Sequence, residues 1–156
     1  MKITLVAAGK RMPDWVETGF SEYRKRLPRG LELHLAAFAT GDRRHGDQAR
    51  ALAEEDRRML RAIPDRSEII ALDENGHDWS TNALARQLDT WQMDGRDRAI
   101  LIGGPDGIGP ESRARAAQSW SLSSLTLPHA LVRVIVAEQI YRAHTILAGH
   151  PYHRGG

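Results

Sequence analysis

Short apolar runs alternate with amphipathic segments along this 156-residue chain up to residue 102. The runs at 3–8, 31–38, 68–73 and 98–102 have the length and composition of strands. Each of the first three is followed by a segment with apolar residues at helical spacing, at 13–27, 47–63 and 80–93. Strands and helices that alternate in this way predict an α/β fold with a mostly parallel sheet and helices on both faces. No linker or repeat divides the sequence, so we expect one domain over residues 1–156.

Composition excludes several classes of site. The chain contains no cysteine, which rules out disulfides, thiolate metal sites and cysteine nucleophiles. It also lacks an H-E-x-x-H motif, and we expect no metal. The net charge of +2 does not by itself indicate a nucleic-acid partner. The apolar run near the start spans only six residues, so we expect a cytoplasmic protein without a membrane segment.

A glycine-rich turn follows the fourth predicted strand. Residues 103–109 read GGPDGIG, and ligands bind beyond the carboxyl ends of strands in open α/β sheets. The turn lacks the G-x-G-x-x-G pattern of dinucleotide sites, and the chain lacks the P-loop pattern. The glycine turn is therefore either one wall of a ligand pocket or a tight turn without a ligand.

An uncharged loop and a long apolar helix come next. Residues 120–127 read WSLSSLTL; this Ser/Leu loop is either a core strand and turn or the lip of a pocket that holds an adenine. The helix at 131–147 is preceded by Pro128 and carries Glu138 and Arg142 four residues apart, on one face. This pair is either a structural ion pair at a subunit interface or a pair that orients a substrate or the chain terminus.

Two polar segments remain. The basic loop at 40–47, TGDRRHGD, is either a solvated connector or a phosphate contact. Residues 150–154, here called the tail, read HPYHR and crowd His150, Tyr152, His153 and Arg154 into one short segment. We interpret the tail as the reactive edge of the molecule.

Five segments give the chain a close resemblance to a known family. They are LVAAGKRMPDWV near the start, DGRD at 94–97, LIGGPDGIG at 101–109, QSWSLSSLTLPHALVRVIVAEQIYRA at 118–143, and the tail. Together they resemble the ribosomal RNA large-subunit methyltransferase H family, of the SPOUT or α/β-knot class. The resemblance implies that the carboxyl-terminal part of the sheet is threaded as a trefoil knot. It also implies a cofactor, S-adenosyl-L-methionine, bound in the knot by Leu72, Gly103, Leu122, Ser123, Ser124, Leu125, Thr126 and Leu127.

The resemblance also implies a partner and a reaction. The family acts as a homodimer, with the last helix across the two-fold axis and one chain's tail near the partner's cofactor. Its members methylate N3 of a pseudouridine in large-subunit (23S) ribosomal RNA within the assembled 70S ribosome.

The same resemblance assigns hypothetical roles to six side chains. His153 and His129 are candidates for the general base, and Arg154 for a contact to phosphate or to the developing imide anion. Tyr152 would stack on the base or orient it, and Glu138 with Arg142 would hold the tail or the dimer in register.

Three other functions remain as alternatives. A related knotted methyltransferase would act on transfer RNA. A non-catalytic ribosome-binding factor would keep the fold without consuming cofactor. A dinucleotide-dependent oxidoreductase is disfavoured by the missing glycine fingerprint.

Overall fold

The five strands found among residues 1–155 belong to one parallel sheet. The structure is a computed structural model, and it describes residues 1–155. Gly156, to which the sequence assigns no role, lies outside the described residues. The strand order is β2-β1-β4-β3-β5, and every neighbouring pair is parallel. The predicted parallel sheet is therefore confirmed. The strands are β1 (Lys2–Ala8), β2 (Glu32–Phe38), β3 (Glu68–His77), β4 (Arg98–Ile102) and β5 (Gln118–Trp120).

Helices cover both faces of this sheet, as the alternation predicted. Alternate residues of β1 point to opposite faces: Ile3 and Leu5 join the core under α1, α3 and α5, whereas Val6 packs with Met59 of α2 on the other side. Burial on both faces explains why β1 is continuously apolar. The helices are α1 (Asp14–Arg24), α2 (Gln48–Ala62), α3 (Thr81–Asp94), α4 (Pro110–Ala114), α5 (His129–Ala148) and α6 (Tyr152–Gly155).

Local signals place the helix ends. The Ser80 side chain accepts a hydrogen bond from the Ala83 amide at 3.1 Å and so caps α3. Gly149 ends α5 in the left-handed conformation, with φ of 70°. Helix α5 starts two residues before the predicted position, directly after Pro128, and its first turn therefore includes His129.

The third strand differs from its prediction. The sequence ENGHD at 74–78 predicts a turn after residue 73, yet β3 continues to His77. Leu72 and His77 both pair with Trp120, so the intervening residues bulge out of the ladder. At Gly76 an added Cβ would lie 2.6 Å from the Ser119 carbonyl carbon, and only glycine permits this approach.

Two expectations concern the whole chain. The trefoil knot implied by the resemblance stays a prediction. Within residues 1–155 no helix combines the length and the apolar character required to cross a bilayer.

Candidate functional site

A cleft of about 550 Å³ opens at the carboxyl ends of β3, β4 and β5. Its walls come from three places: the bulge of β3, the glycine turn after β4, and the Ser/Leu loop with the first turn of α5. Parallel strands bring these segments together because their carboxyl ends meet at one edge of the sheet.

The glycine turn folds tightly onto itself. An added Cβ on Gly103 would lie 2.4 Å from the carbonyl carbon of Gly107, so no larger residue fits without moving the backbone. The Gly107 amide donates to the Gly104 carbonyl at 3.0 Å, and Gly107 has φ of 82°. The segment is thus both a tight turn and a wall of the cleft.

The Ser/Leu loop forms the lip opposite this turn. Its first residue, Trp120, ends β5, and the Ser123 hydroxyl accepts a hydrogen bond from the Leu125 amide at 2.9 Å. Of the eight residues expected to bind cofactor, Ser124 is the exception, since it is exposed and does not line the cleft. The other seven line it: Leu72, Gly103, Leu122, Ser123, Leu125, Thr126 and Leu127.

Acidic residues that the sequence interpretation missed also line the cleft. Asp73 and Glu74 stand on the bulge of β3, and Asp106 stands on the glycine turn. Arg113 enters the cleft from α4 and pairs with Asp73. The available sequence signal was weak, because these acids follow strand ends in segments that also read as ordinary polar turns.

The basic loop braces the glycine turn. Arg43 lies 2.6 Å from the buried Glu55 carboxylate on α2 and 3.0 Å from Asp106. Hydrogen bonds from the guanidinium to Glu55, and then to Asp106, raise the pKa of Arg43 despite its partial burial. The Arg43 charge is thus already compensated, which favours a structural connector over a phosphate contact.

His129 lies in the cleft, and a buried arginine lies next to it. Arg133 is 2% exposed and donates to the carbonyls of Ala8 at 3.2 Å and Gly9 at 2.5 Å. A Cβ placed on Gly9 would be 3.4 Å from Arg133 Nη2 and 3.7 Å from His129 Nε2, so both side chains converge on the end of β1. Burial lowers the pKa of the Arg133 guanidinium. Nothing in the local sequence distinguishes Arg133 from an ordinary helical residue.

The tail packs back on the middle of α5. Tyr152 Oη donates to Glu138 Oε1 at 3.1 Å, and Arg142 Nη2 lies 2.6 Å from the same oxygen. The Tyr152 ring meets the Tyr141 ring edge-on at 4.7 Å, with the Arg142 guanidinium 5.0 Å from its centre. Burial, together with Tyr23 and Glu138, raises the pKa of Tyr152. The predicted Glu138–Arg142 pair therefore forms, and Tyr152 is attached to it.

The candidate site residues thus fall into two groups. His129 joins the expected cofactor residues in the cleft, whereas no residue of the tail is part of the cleft lining of its own chain. Glu138, which holds the tail, lies nine residues beyond His129, or about 14 Å along the helix axis. His153 belongs to this second group, and its buried Nδ1 has no hydrogen-bond partner among residues 1–155.

Comparison with known proteins identifies the family. A family profile described as "Predicted SPOUT methyltransferase" matches residues 1–153. The chain belongs to the SPOUT methyltransferase family. Within this family it is 52% identical to a protein named ribosomal RNA large subunit methyltransferase H from Chromohalobacter salexigens, covering 99% of this chain and 100% of that protein. It is 54% identical to the protein of the same name from Methylococcus capsulatus, with the same coverage.

A solved structure shares the fold of this chain. It is a "probable methylase family protein" from Haemophilus influenzae, with a TM-score of 0.55 and 12% identity, covering 97% of this chain and 69% of that one. The resemblance to the methyltransferase H proteins that the sequence motifs indicated is confirmed. Residues 1–155 of this SPOUT chain contain no cluster of three His, Asp or Glu side chains placed to hold a metal ion.

Proposed function

We propose that this SPOUT methyltransferase transfers a methyl group from S-adenosyl-L-methionine to N3 of a pseudouridine in 23S ribosomal RNA. We further propose the assembled 70S ribosome as its substrate and the cytoplasm as its compartment. One observation carries the proposal: the cleft brings seven of the eight expected cofactor residues together with His129. The names of the full-length relatives at 52% and 54% identity support the same reaction class.

The cleft fits the proposed cofactor by its chemistry. Leu122, Leu125 and Leu127 offer apolar surface for an adenine, and the backbone of the Ser/Leu loop offers hydrogen bonds. Asp73 and Asp106 pair with Arg113 and Arg43, and they also line the cleft, where remaining carboxylate oxygens would accept hydrogen bonds from ribose hydroxyls. When bound, S-adenosyl-L-methionine would supply an electrophilic methyl group on sulfur.

The chain's own residues would position the base and remove its proton. N3 of pseudouridine must lose a proton to become methylated, and imidazole groups serve as general bases near neutral pH. His129 stands in the cleft on the first turn of α5, where it would accept that proton. Holding N3 in line with the methyl group supplies much of the expected acceleration.

A second copy of the chain would complete the site. The tail lies outside the cleft of its own chain, while His153 and Arg154 have the chemistry that a pseudouridine anion and its phosphate require. In a symmetric homodimer the partner's tail would reach this cleft. Since Tyr152 is bonded to Glu138, its proposed role is to anchor the tail rather than to stack on the base.

The deciding experiment offers the purified protein radiolabelled S-adenosyl-L-methionine and four acceptors. These are 70S ribosomes lacking the modification, free 50S subunits, naked 23S RNA and transfer RNA. We expect label on one pseudouridine of the 70S ribosomes and little on naked RNA. Label only on naked or transfer RNA would overturn the substrate. Bound cofactor without any transfer would point to a non-catalytic ribosome-binding factor.

A further inference from the structure

The loop between β1 and α1 has no role in the proposed reaction, although it carries part of the family resemblance. It reads GKRMP at 9–13 and leads into Trp15 on the first turn of α1. Lys10, Arg11 and Trp15 are all exposed, and we call these three residues the β1–α1 patch. The loop leaves the carboxyl end of β1, at the same edge of the sheet as the cleft.

Contacts at Gly9 place this loop beside the cleft. A Cβ on Gly9 would lie 2.8 Å from Met12 Cε and 3.7 Å from Nε2 of His129, which lines the cleft. The loop therefore packs against the histidine proposed to act on the substrate. If the target base of an RNA strand reaches His129, the nucleotides that flank this base along the strand lie close to the patch.

The patch carries positive charge that the described residues leave uncompensated. Within residues 1–155, Lys10 and Arg11 make no ion pair and no side-chain hydrogen bond, whereas Arg43 and Arg113 at the cleft are bound to carboxylates. Behind the loop, Arg133 is 2% exposed and bonds to main-chain carbonyls instead of an acid. The acids next to the patch are Asp14 and Glu17. They lie in the first turn of α1, where their negative charge interacts favourably with the positive end of the helix dipole.

The patch also presents an aromatic surface. Trp15 is 55% exposed, whereas Trp91 and Trp120 are 2% exposed in the core. An exposed indole beside unpaired cations is the combination that binds single-stranded RNA, because the ring stacks on a base and the cations contact phosphates.

We propose that the β1–α1 patch holds the RNA strand that flanks the target nucleotide. Lys10 and Arg11 contact backbone phosphates, and Trp15 stacks on an unpaired base next to the one in the cleft. This inference rests on the proposed function, in that RNA is the substrate.

The test compares patch variants with variants at the opposite edge of the sheet. Lys10→Gln with Arg11→Gln is matched by Arg29→Gln with Arg61→Gln, which removes the same charge from exposed positions before β2 and in the last turn of α2. Trp15→Ala is matched by Met93→Ala, since Met93 is 82% exposed at the end of α3. For each protein the measurements are the Kd for unmodified 70S ribosomes at several salt concentrations, kcat and KM for methyl transfer, and the Kd for S-adenosyl-L-methionine by calorimetry.

We expect the double charge variant to bind ribosomes about ten-fold more weakly. The slope of log K against the logarithm of the salt concentration should become less steep by about one for each cation removed. Trp15→Ala also weakens binding about ten-fold, while Trp15→Phe, which keeps a ring, stays near wild type. Weaker ribosome binding raises KM for methyl transfer, and the Kd for S-adenosyl-L-methionine is unchanged in all variants.

Three outcomes separate the hypotheses. Patch variants that match their controls in ribosome Kd, salt dependence and KM, in a protein that methylates ribosomes, overturn the inference alone. Weaker binding by the double charge variant with an unaltered salt dependence points to a ribosomal protein as the contact and overturns the RNA assignment. If the wild-type protein methylates no RNA, the proposed function is overturned. The Kd values of the same variants for ribosomes then decide separately whether the patch binds RNA.

Discussion

At the scale of single residues, the carboxylate of Glu138 connects the last turn of the chain to its longest helix. One oxygen of this group accepts hydrogen bonds from both the Arg142 guanidinium and the Tyr152 hydroxyl. The hydrogen bond with Glu138, which outweighs the effect of burial, raises the pKa of Arg142. The same carboxylate therefore fixes where His153 and Arg154 are presented.

Replacing His153 and Arg154 by Ala should separate chemistry from cofactor binding. We expect methyl transfer to unmodified 70S ribosomes to fall by at least about a hundred-fold, because the imidazole and the cation that would hold the pseudouridine anion and its phosphate are lost from the proposed site. The Kd for S-adenosyl-L-methionine should stay near wild type, since neither residue lines the cleft of its own chain. His45→Ala with Arg29→Ala is the matched control, and equal losses of transfer and cofactor binding would contradict the tail assignment.

Asp56 gives a prediction that depends on pH. Burial would raise the pKa of Asp56, but hydrogen bonds from the Ser112 side chain and from the Ser112 and Glu111 amides outweigh it and lower the pKa. A carboxyl whose pKa is lower in the folded state stabilises the protein above its unfolded pKa, and this contribution disappears as pH falls through the folded value. Asp56→Asn should therefore lose about 1–2 kcal/mol of unfolding free energy at pH 7, as for a missing helix cap. Denaturant titrations should show the difference shrinking below about pH 4; a constant difference down to pH 2 would contradict it.

At the scale of elements, the glycine turn and the bulge of β3 together shape the cleft. Each is defined by backbone contacts between segments that are distant in sequence or fold back on themselves. Gly103 is constrained by space, whereas Gly107 and Gly30 have positive φ with no atom close to an added Cβ. These three positions therefore separate steric from conformational effects.

Substitution of these glycines by Ala should give three different results. Gly103→Ala forces the turn to open, and we expect a loss of at least about 2 kcal/mol in stability together with loss of cofactor binding. Gly107→Ala and Gly30→Ala should each cost about 1–2 kcal/mol through backbone strain alone. Calorimetry with S-adenosyl-L-methionine should show weaker binding for Gly107→Ala and unchanged binding for Gly30→Ala. Wild-type cofactor affinity in Gly103→Ala would exclude the glycine turn from the site.

At the scale of the whole molecule, the two groups of site residues lie apart within one chain, and in the proposed homodimer they would meet across the two chains. His129 faces the cleft, and the tail is held about 14 Å along α5 by Glu138. A two-fold axis that runs across α5 would place each tail at the other chain's cleft.

Mixed dimers test this arrangement directly. A chain with Gly103→Ala lacks a working cleft, and a chain with His153→Ala and Arg154→Ala lacks a working tail. After equal amounts of the two are unfolded and refolded together, the mixture should regain about a quarter of wild-type transfer, because about half of the dimers are mixed and each mixed dimer contains one intact composite site of two. If mass spectrometry shows that mixed dimers have formed and methyl transfer does not recover, the cleft and the tail of the same chain form one site.

Sequence alone determined four of the five described strands and the four longest helices. The residues expected to bind cofactor came from the family resemblance and stay a prediction. The apolar run of β1, the caps Asp47 and Ser80, and Gly149 act through neighbouring residues and hydrophobic periodicity, so the sequence reveals them. The Ser/Leu loop and Glu138–Arg142 were recognisable for the same reason, since their members lie within one or two turns of each other.

Tertiary structure alone decided how these parts meet. The bulge that carries Asp73 arises where β3 pairs with a strand some fifty residues later, and Arg43 contacts Asp106 although the two are 63 residues apart in sequence. Arg133 becomes buried against the end of β1, more than a hundred residues away in sequence. No local preference encodes such contacts: their stability comes from burial and hydrogen bonds that exist only when the distant segments are already packed together.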